Sequence, residues 1–287
     1  MRGPPDERST DDLLDFGVVN LDKPPGPSSH QVAGWLRDLA GVERAAHAGT
    51  LDPKVTGCLP VLLGDATRTA QVFDDSVKGY VAVLELHRPA PTDFDAVVRE
   101  FEGEVYQKPP RKSAVSRRLR ARTIHELTVL EREDRRALLR VECAPGTYIR
   151  KLCHDIGLAL GTGAHMGALR RVRTGSFDDT ALVTMHDLTD ALAFAAEGDE
   201  SLLRECVAPA ERALVDLPRV TVAESAAEQI AEGAPVYAPG VLAVEDAGRG
   251  ELVACYTSDG AAVCIGNLVG DPAADSGVVV ELERVLV

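Results

Sequence analysis

Lysine is nearly missing from this chain, with six among 287 residues, at positions 23, 54, 78, 108, 112 and 151. Aromatic side chains make up only 4 %, so aliphatic residues must supply most of any core. The six cysteines (58, 143, 153, 206, 255 and 264) form no CxxC pair, and their spacing suits no zinc site. Most lie in apolar strand or helix patterns, which points to reduced core thiols. No apolar run approaches the ~20 residues that span a bilayer. The N-terminus, MRGPPDERSTDD, is polar and rich in Pro and Gly, unlike a secretory signal. A cytoplasmic protein with no membrane contact is expected. Basic charge is also in deficit: 45 acids face 31 bases, for a net −14. That balance ordinarily argues against a nucleic-acid partner. An acidic, lysine-poor surface also suits a salt-rich, halophilic cytoplasm, where charge is strongly screened.

The length allows one large domain plus a small one. Residues 1–15 read as a flexible tail, 16–217 as the main domain and 218–287 as a small module. Residues 16–21 read as a strand, and Ser28 or Ser29 as the cap of a helix reaching Ala40, with Val32, Trp35, Leu36 and Leu39 on one face. A short helix is expected over 67–73, a strand over 80–86, and a helix capped by Thr92 with Val97, Val98 and Phe101 inward. Residues 121–131 and 136–143 read as paired strands. Gly146-Thr147 opens a helix with the stripe Ile149, Leu152, Cys153, Ile156 and Leu160, and a strand follows near 164–173. The elements mix without a βαβ repeat. The pattern predicts an α+β domain with a mixed, largely antiparallel sheet flanked by helices. From 218 onwards, five short strands with Gly and Asp turns and one helix suggest a β-barrel-like module.

The stretch AAHAGTLDPKVTGCLPVLLGD (45–65) concentrates the chemistry. Asp52 stands directly before Pro53, which biases it towards an extended conformation. Gly49 and Gly57 permit close backbone approach on either side, and the apolar run 58–63 reads as a buried strand. Asp52 is therefore either the start of an ordinary turn or a single acid displayed at a sheet edge. His47, on the same loop, is either structural or part of the site. Tyr80, in mid-strand, is either core or an aromatic face for a planar base. Arg150 and Lys151 fall in the first turn of their helix, where the macrodipole disfavours cations by ~0.3–1 kcal/mol each. A carboxylate or phosphates are expected to compensate. Residues 108–122 carry Lys108, Arg111, Lys112, Arg117, Arg118, Arg120 and Arg122 and no acid, and Arg170, Arg171 and Arg173 form a second cluster. Either these are solvated faces or they neutralise phosphates.

Taken together, these segments resemble the TruB family of pseudouridine synthases, most closely its archaeal dyskerin-type branch. The matching segments are GVVNLDKPPGPSSHQV (17–32), HAGTLDPKVTG (47–57), VKGY (77–80), YQKPPRKSAVSRRLRART (106–123), GTYIRKLCHDIG (146–157) and GAHMGALRRVRTGSF (163–177). They run in the family's order, and the C-terminal module resembles a PUA RNA-binding domain. Gly167-Ala168 departs from the more polar pair usual in archaeal relatives.

The resemblance implies an RNA pseudouridine synthase that needs neither metal nor organic cofactor. Asp52 matches the family's essential aspartate, Tyr80 the tyrosine that stacks on the target base, and Arg150 the arginine that pairs with the catalytic carboxylate. Leu169 matches an apolar wall of the base pocket, and His47 the residue that fills the space of the flipped nucleotide. Lys23 and Tyr148 sit in the same motifs as candidate substrate contacts, and Lys108 to Arg122, Arg170 and Arg171 are candidate RNA contacts. Three readings follow. One is the catalytic subunit of an archaeal H/ACA guide ribonucleoprotein acting on rRNA or tRNA. Its partners would be guide RNA, small Nop-type and Gar-type proteins, and a kink-turn-binding ribosomal protein reached through the guide. The second is guide-independent modification of the tRNA T-loop, and the third a non-catalytic RNA scaffold.

Overall fold

The computed structural model describes residues 1–109 and 118–287. Helix α1 (Thr10–Asp15) leads into strand β1 (Gly17–Lys23), helix α2 (Ser29–Ala40), strand β2 (Ala45–His47) and strand β3 (Thr56–Leu63). A 3-10 turn (Gly64–Phe73) covers the segment expected as a short helix. Strand β4 (Lys78–Leu86), helix α3 (Phe94–Arg99), strands β5 (Gly103–Gln107), β6 (Arg120–Arg132) and β7 (Arg136–Cys143), and helix α4 (Ile149–Ala159) follow. Strands β8 (Ala164–Thr174) and β9 (Phe177–Asp178), helices α5 (Met185–Ala196) and α6 (Ser201–Cys206), and strand β10 (Ala208–Pro209) complete the first unit.

These strands form one sheet in the order β10-β1-β3-β8-β4-β7-β6-β5, with β2 beside β3 and β9 beside β8. Among the described strands every pairing in it is antiparallel except one. The parallel pair is β3 with β8, and it is short, matching Thr56 to Arg170 and Gly57 to Arg171. This seam joins the two antiparallel halves of the sheet. Gly57 is obligatory there: its φ is +97°, and a Cβ would lie 2.2 Å from the Arg171 carbonyl oxygen.

The second unit is a six-stranded, barrel-like sheet ordered β12-β16-β15-β14-β11-β13. Its elements are β11 (Arg219–Val222), α7 (Glu224–Ala231), β12 (Val236–Tyr237), β13 (Val241–Val244), β14 (Leu252–Tyr256), β15 (Ala262–Leu268) and β16 (Val278–Val285). The expected α+β class and barrel-like module are observed. One apolar core lies within the barrel-like sheet, and another spans both units, joining Phe16, Cys58 and Phe73 to Ala254, Tyr256, Ile265 and Leu286. All six cysteines are free thiols. Among the described residues, no helix is long and apolar enough to cross a membrane.

Several expectations need correction. The first fifteen residues are not a loose tail. Ser9 caps α1, and Arg8, buried, forms a forked pair with Glu211 (2.8 and 2.6 Å). Glu211 in turn accepts the Ala262 backbone N–H at 2.9 Å, so the N-terminal segment fastens one unit to the other. Composition hid this, because the anchors are long-range charge pairs, Arg8 with Glu211 and Arg2 with Asp65, within a polar stretch. Trp35 is 49 % exposed rather than inward; Val32, Ala33 and Leu36 already fill the buried face of α2. Thr92 is not a cap, since Asp93 occupies the N-cap position and makes no side-chain cap bond. Likewise Thr147 donates to the Ala144 carbonyl, and α4 starts after Tyr148. Periodicity alone offered no element for the stretch that holds α5 and α6.

Candidate active site

The loop between β2 and β3 carries Asp52, and three buried groups from three different elements hold its backbone. Ser28 caps α2 in a capping box with Gln31, which leaves the next serine free for another task. The Ser29 hydroxyl accepts the Leu51 N–H (2.8 Å) and contacts the Leu51 carbonyl (3.2 Å), fixing the peptide just before Asp52. From the end of β1, the fully buried Lys23 ammonium donates to the carbonyls of Pro24, Pro53 and Val55 at 2.9–3.0 Å. On β8, Arg171 donates to the carbonyls of Cys58 (2.7 Å), Ala48 (3.1 Å) and Gly49 (3.2 Å). A turn bond from Val55 N–H to the Asp52 carbonyl (2.9 Å) closes the loop on itself. The loop is clamped on both sides of the acid it displays.

Arg150, one residue into α4, reaches across and pairs with the Asp52 carboxylate. The other first-turn cation, Lys151, pairs with Asp155 on the next turn. Both compensating charges sought from the sequence are therefore carboxylates. The side chains of Asp52 and Arg150 are 54 % and 49 % exposed. A pair at 4 Å gains ~4 kcal/mol at an effective dielectric of 20, but exposed pairs measure ~0.2–1 kcal/mol because water screens them. The lower figure applies here until something covers the pair.

Tyr80 lies in β4, opposite Arg171 of β8 and Val141 of β7. It retains 9 % exposure and shares one apolar core with Leu51 and Ile149, the neighbours of Asp52 and Arg150. Burial pushes its phenol up, opposed by the charge of Arg171. Leu169 is half-buried on β8, opposite Ala82. His47 closes β2 opposite Val61; burial first, then Arg171, pushes its imidazole down, and its buried Nδ1 has no hydrogen-bond partner. Tyr148 is the N-cap residue of α4, and its backbone bonds both ends of the Gln107 amide (2.9 and 3.2 Å). Asp52 and Arg150 are thus in direct contact, Tyr80 and Leu169 stand on the adjacent strands β4 and β8, and His47 stands on β2 beside β3.

Other expected contacts fall elsewhere. Lys23 is no surface contact for substrate: it is buried and saturated by carbonyls. Arg171 is no phosphate contact either, at 1 % exposure. Arg170 is half-buried in a forked pair with Asp22 (3.0 Å each). Lys108 and Arg118 are exposed, and Arg120 and Arg122 half-buried. Arg122 packs against Gly146 at the turn before α4. Arg111, Lys112 and Arg117 lie outside the described residues. A cavity of about 330 Å³ is lined by Asp22, Lys23, Pro24, Arg170 and His186, among others, but not by Asp52, Tyr80 or Arg150. The residues that sequence reasoning missed are the clamps, Ser29 above all. Its only signal was a second serine beside one that already served as cap.

Family models match most of the chain, all but 96–149 and a few flanking residues. The TruB family pseudouridylate synthase N-terminal domain matches 37–95, and the tRNA pseudouridylate synthase B C-terminal domain matches 150–215. A PUA domain matches 218–286 and a DKCLD domain 3–33. The probable tRNA pseudouridine synthase B of Haloarcula marismortui is 68 % identical over 100 % of this chain and 94 % of that protein. The protein of the same description from Halobacterium salinarum is 62 % identical over 100 % and 99 %. Both are halophilic relatives, in keeping with the acidic, lysine-poor composition. Among solved structures, a chain of a Cbf5-Nop10-Gar1 complex superposes with a TM-score of 0.94 at 44 % identity, covering 100 % of this chain and 89 % of that one. A chain of an H/ACA RNP bound to a substrate RNA containing 2'-deoxyuridine superposes at 0.92 with 42 % identity, covering 99 % and 89 %.

Proposed function

The chain belongs to the TruB family of pseudouridine synthases, and from that premise we propose that Asp52 is its catalytic group, working inside a guide-directed H/ACA-type ribonucleoprotein. The observation that carries the assignment of Asp52 is its contact with Arg150 on a loop clamped at Leu51, Pro53 and Val55. Pseudouridylation breaks the bond between uracil N1 and the ribose, turns the base, and rejoins it through carbon 5. The carbon 5 proton is lost and N1 gains one, so no net oxidation or hydrolysis occurs. Asp52 either attacks the substrate as a nucleophile or removes a sugar proton, and both roles need the carboxylate ionised. Arg150 favours that form, and more strongly once RNA excludes water from the exposed pair.

The target uridine must leave its stack, at a cost of a few kcal/mol. Contact with Tyr80, worth ~1–3 kcal/mol for a stacked base, offsets much of it. Tyr80 is 9 % exposed, so seating a base there calls for local movement around the ring. Leu169 and the neutral His47 complete the pocket. Lys108, Arg118, Arg120 and Arg122, with the neighbouring bases of 111–117, supply the phosphate contacts that a net charge of −14 otherwise opposes. Residues 16–217 form the catalytic domain and 218–287 the PUA module, which grips guide RNA.

The guided reading is favoured because matches over essentially the whole chain are to proteins solved with Nop10, Gar1 or H/ACA substrate RNA. Small Nop-type and Gar-type proteins, and a kink-turn-binding ribosomal protein on the guide, would place the substrate. The name of the curated relatives supports a second reading, direct action on tRNA. Pseudouridine mapping separates the two. Reconstitution with a guide RNA and the small proteins yields pseudouridine opposite the guide; modification of a tRNA T-loop by the chain alone, with no gain from a guide, selects the direct reading. A scaffold, which would tolerate loss of Asp52, predicts neither product.

A further inference from the structure

We propose that Gln107 is a positioning residue of the reaction, holding the head of α4 so that Arg150 stands where it meets Asp52. The proposal rests on the roles of Asp52 and Arg150 given above. Gln107 is the last residue of β5 and is buried, at 3 % exposure. Its Oε1 accepts the Tyr148 N–H at 2.9 Å, and its Nε2 donates to the Tyr148 carbonyl at 3.2 Å. Tyr148 is the N-cap residue of α4, two positions before Arg150. One side-chain amide therefore grips the two successive peptide groups that lead into the helix.

Three features set this contact apart from ordinary core packing. The Tyr148 side chain makes no cap bond of its own. In a capping box, a Glu or Gln in the first turn of the helix reaches back to the N-cap N–H; here Gln107 does so from another strand. Second, the carbonyl that Gln107 holds also accepts the N–H groups of Lys151 and Leu152, both at 3.0 Å. The turn that carries Arg150 closes on that carbonyl. Burial of Ile149, Leu152 and Ile156 seats α4 on the core, but apolar burial is non-directional and does not set the rotation of the first turn. Two hydrogen bonds of opposite sense do. Third, the other half of the ion pair is held in the same manner. Ser29 bonds both the N–H and the carbonyl of Leu51, one residue before Asp52. Each member of the exposed pair is thus fixed from beneath by a buried polar side chain that reads both backbone groups of a near neighbour.

The test is a double-mutant cycle in the reconstituted complex, read by single-turnover pseudouridine formation with RNA affinity measured alongside. Gln107→Met removes both hydrogen bonds and keeps the length of the side chain. It is expected to lower the rate roughly 10- to 100-fold, as misplacement of reacting groups by about 1 Å does, with affinity held within about twofold. In an Arg150→Met background the same substitution should change the rate less than about threefold, because Gln107 acts through Arg150. If Gln107→Met fails to fold, Gln107→Glu keeps an acceptor for the Tyr148 N–H and loses the bond donated to the carbonyl; a fall in rate that shrinks in the Arg150→Met background is again expected. Effects that multiply in the double variant, or an unchanged rate in a folded single variant, overturn the proposal. Gln107 also leads directly into the basic segment that starts at Lys108. A role confined to that segment predicts lost RNA affinity with the single-turnover rate of bound RNA unchanged, and that result overturns the proposal too. An active Asp52→Asn would instead overturn the reading on which it stands, so the two failures are distinguishable.

Discussion

The rim and the floor of this site hold their charges in opposite ways. At the rim, Asp52 and Arg150 are about half exposed and answer each other directly. On the floor, Lys23, Lys78 and Arg171 are buried and satisfied by carbonyls and hydroxyls instead of acids. An exposed pair contributes little to stability and stays free to rearrange when RNA arrives. A buried cation fixed by several carbonyls costs desolvation and gives rigidity in return. Rim residues should therefore trade in rate and floor residues in stability.

Variants at both kinds of position sharpen that contrast. The largest effect on stability is expected at a fourth buried cation, Arg8, where Arg8→Met strands Glu211 in the joint between the two units. A loss on the order of 3–5 kcal/mol is expected in denaturant unfolding, and a loss below 1 kcal/mol would break the rule. Arg150→Met should cut single-turnover rate roughly 100-fold or more, comparable to losing one preorganised charge contact, yet move stability by less than about 1 kcal/mol. A destabilised Arg150→Met would mean the pair is structural.

Lys78 offers a test by pH. Burial, then Arg171, lowers its ammonium to about 8 from the ordinary 10.5. Between those values the unfolded chain binds more protons than the native one, so stability should rise as pH climbs from about 8 to 10, by at most about 1.4 kcal/mol per pH unit. Lys78→Met should flatten that rise in thermal or denaturant melts across the window. The smallest effects are expected from the outer surface. Lys108→Ala and Arg118→Ala should each reduce the salt slope of RNA binding by roughly 0.7–0.9, leaving the melting temperature unchanged. An unaltered slope would remove these residues from the RNA path.

Much of this was legible in the sequence where one residue type at one spacing carries the signal. Asp52-Pro53 between two glycines singled out one acid, and the misplaced cations at the head of α4 called for a carboxylate or phosphates; only the family resemblance joined Asp52 to Arg150. The alternating 80–86 stretch and the stripe from Ile149 to Ile156 marked their elements for the same reason. Arg171 was misread because it follows Arg170 in a basic run, and strand alternation sends the two in different directions: Arg170 to Asp22, and Arg171 into the floor. Lys23 and Ser29 were not legible as clamps, since their partners are backbone carbonyls and amides, which carry no side-chain signature. The N-terminal segment was misjudged for a related reason: its anchor, Glu211, is 203 residues away.

The most direct test of the account is Asp52→Asn in the reconstituted complex. Loss of the carboxylate should abolish pseudouridine formation while RNA affinity stays within about twofold of wild type. Pseudouridine appearing at the wild-type rate in that variant would contradict the account.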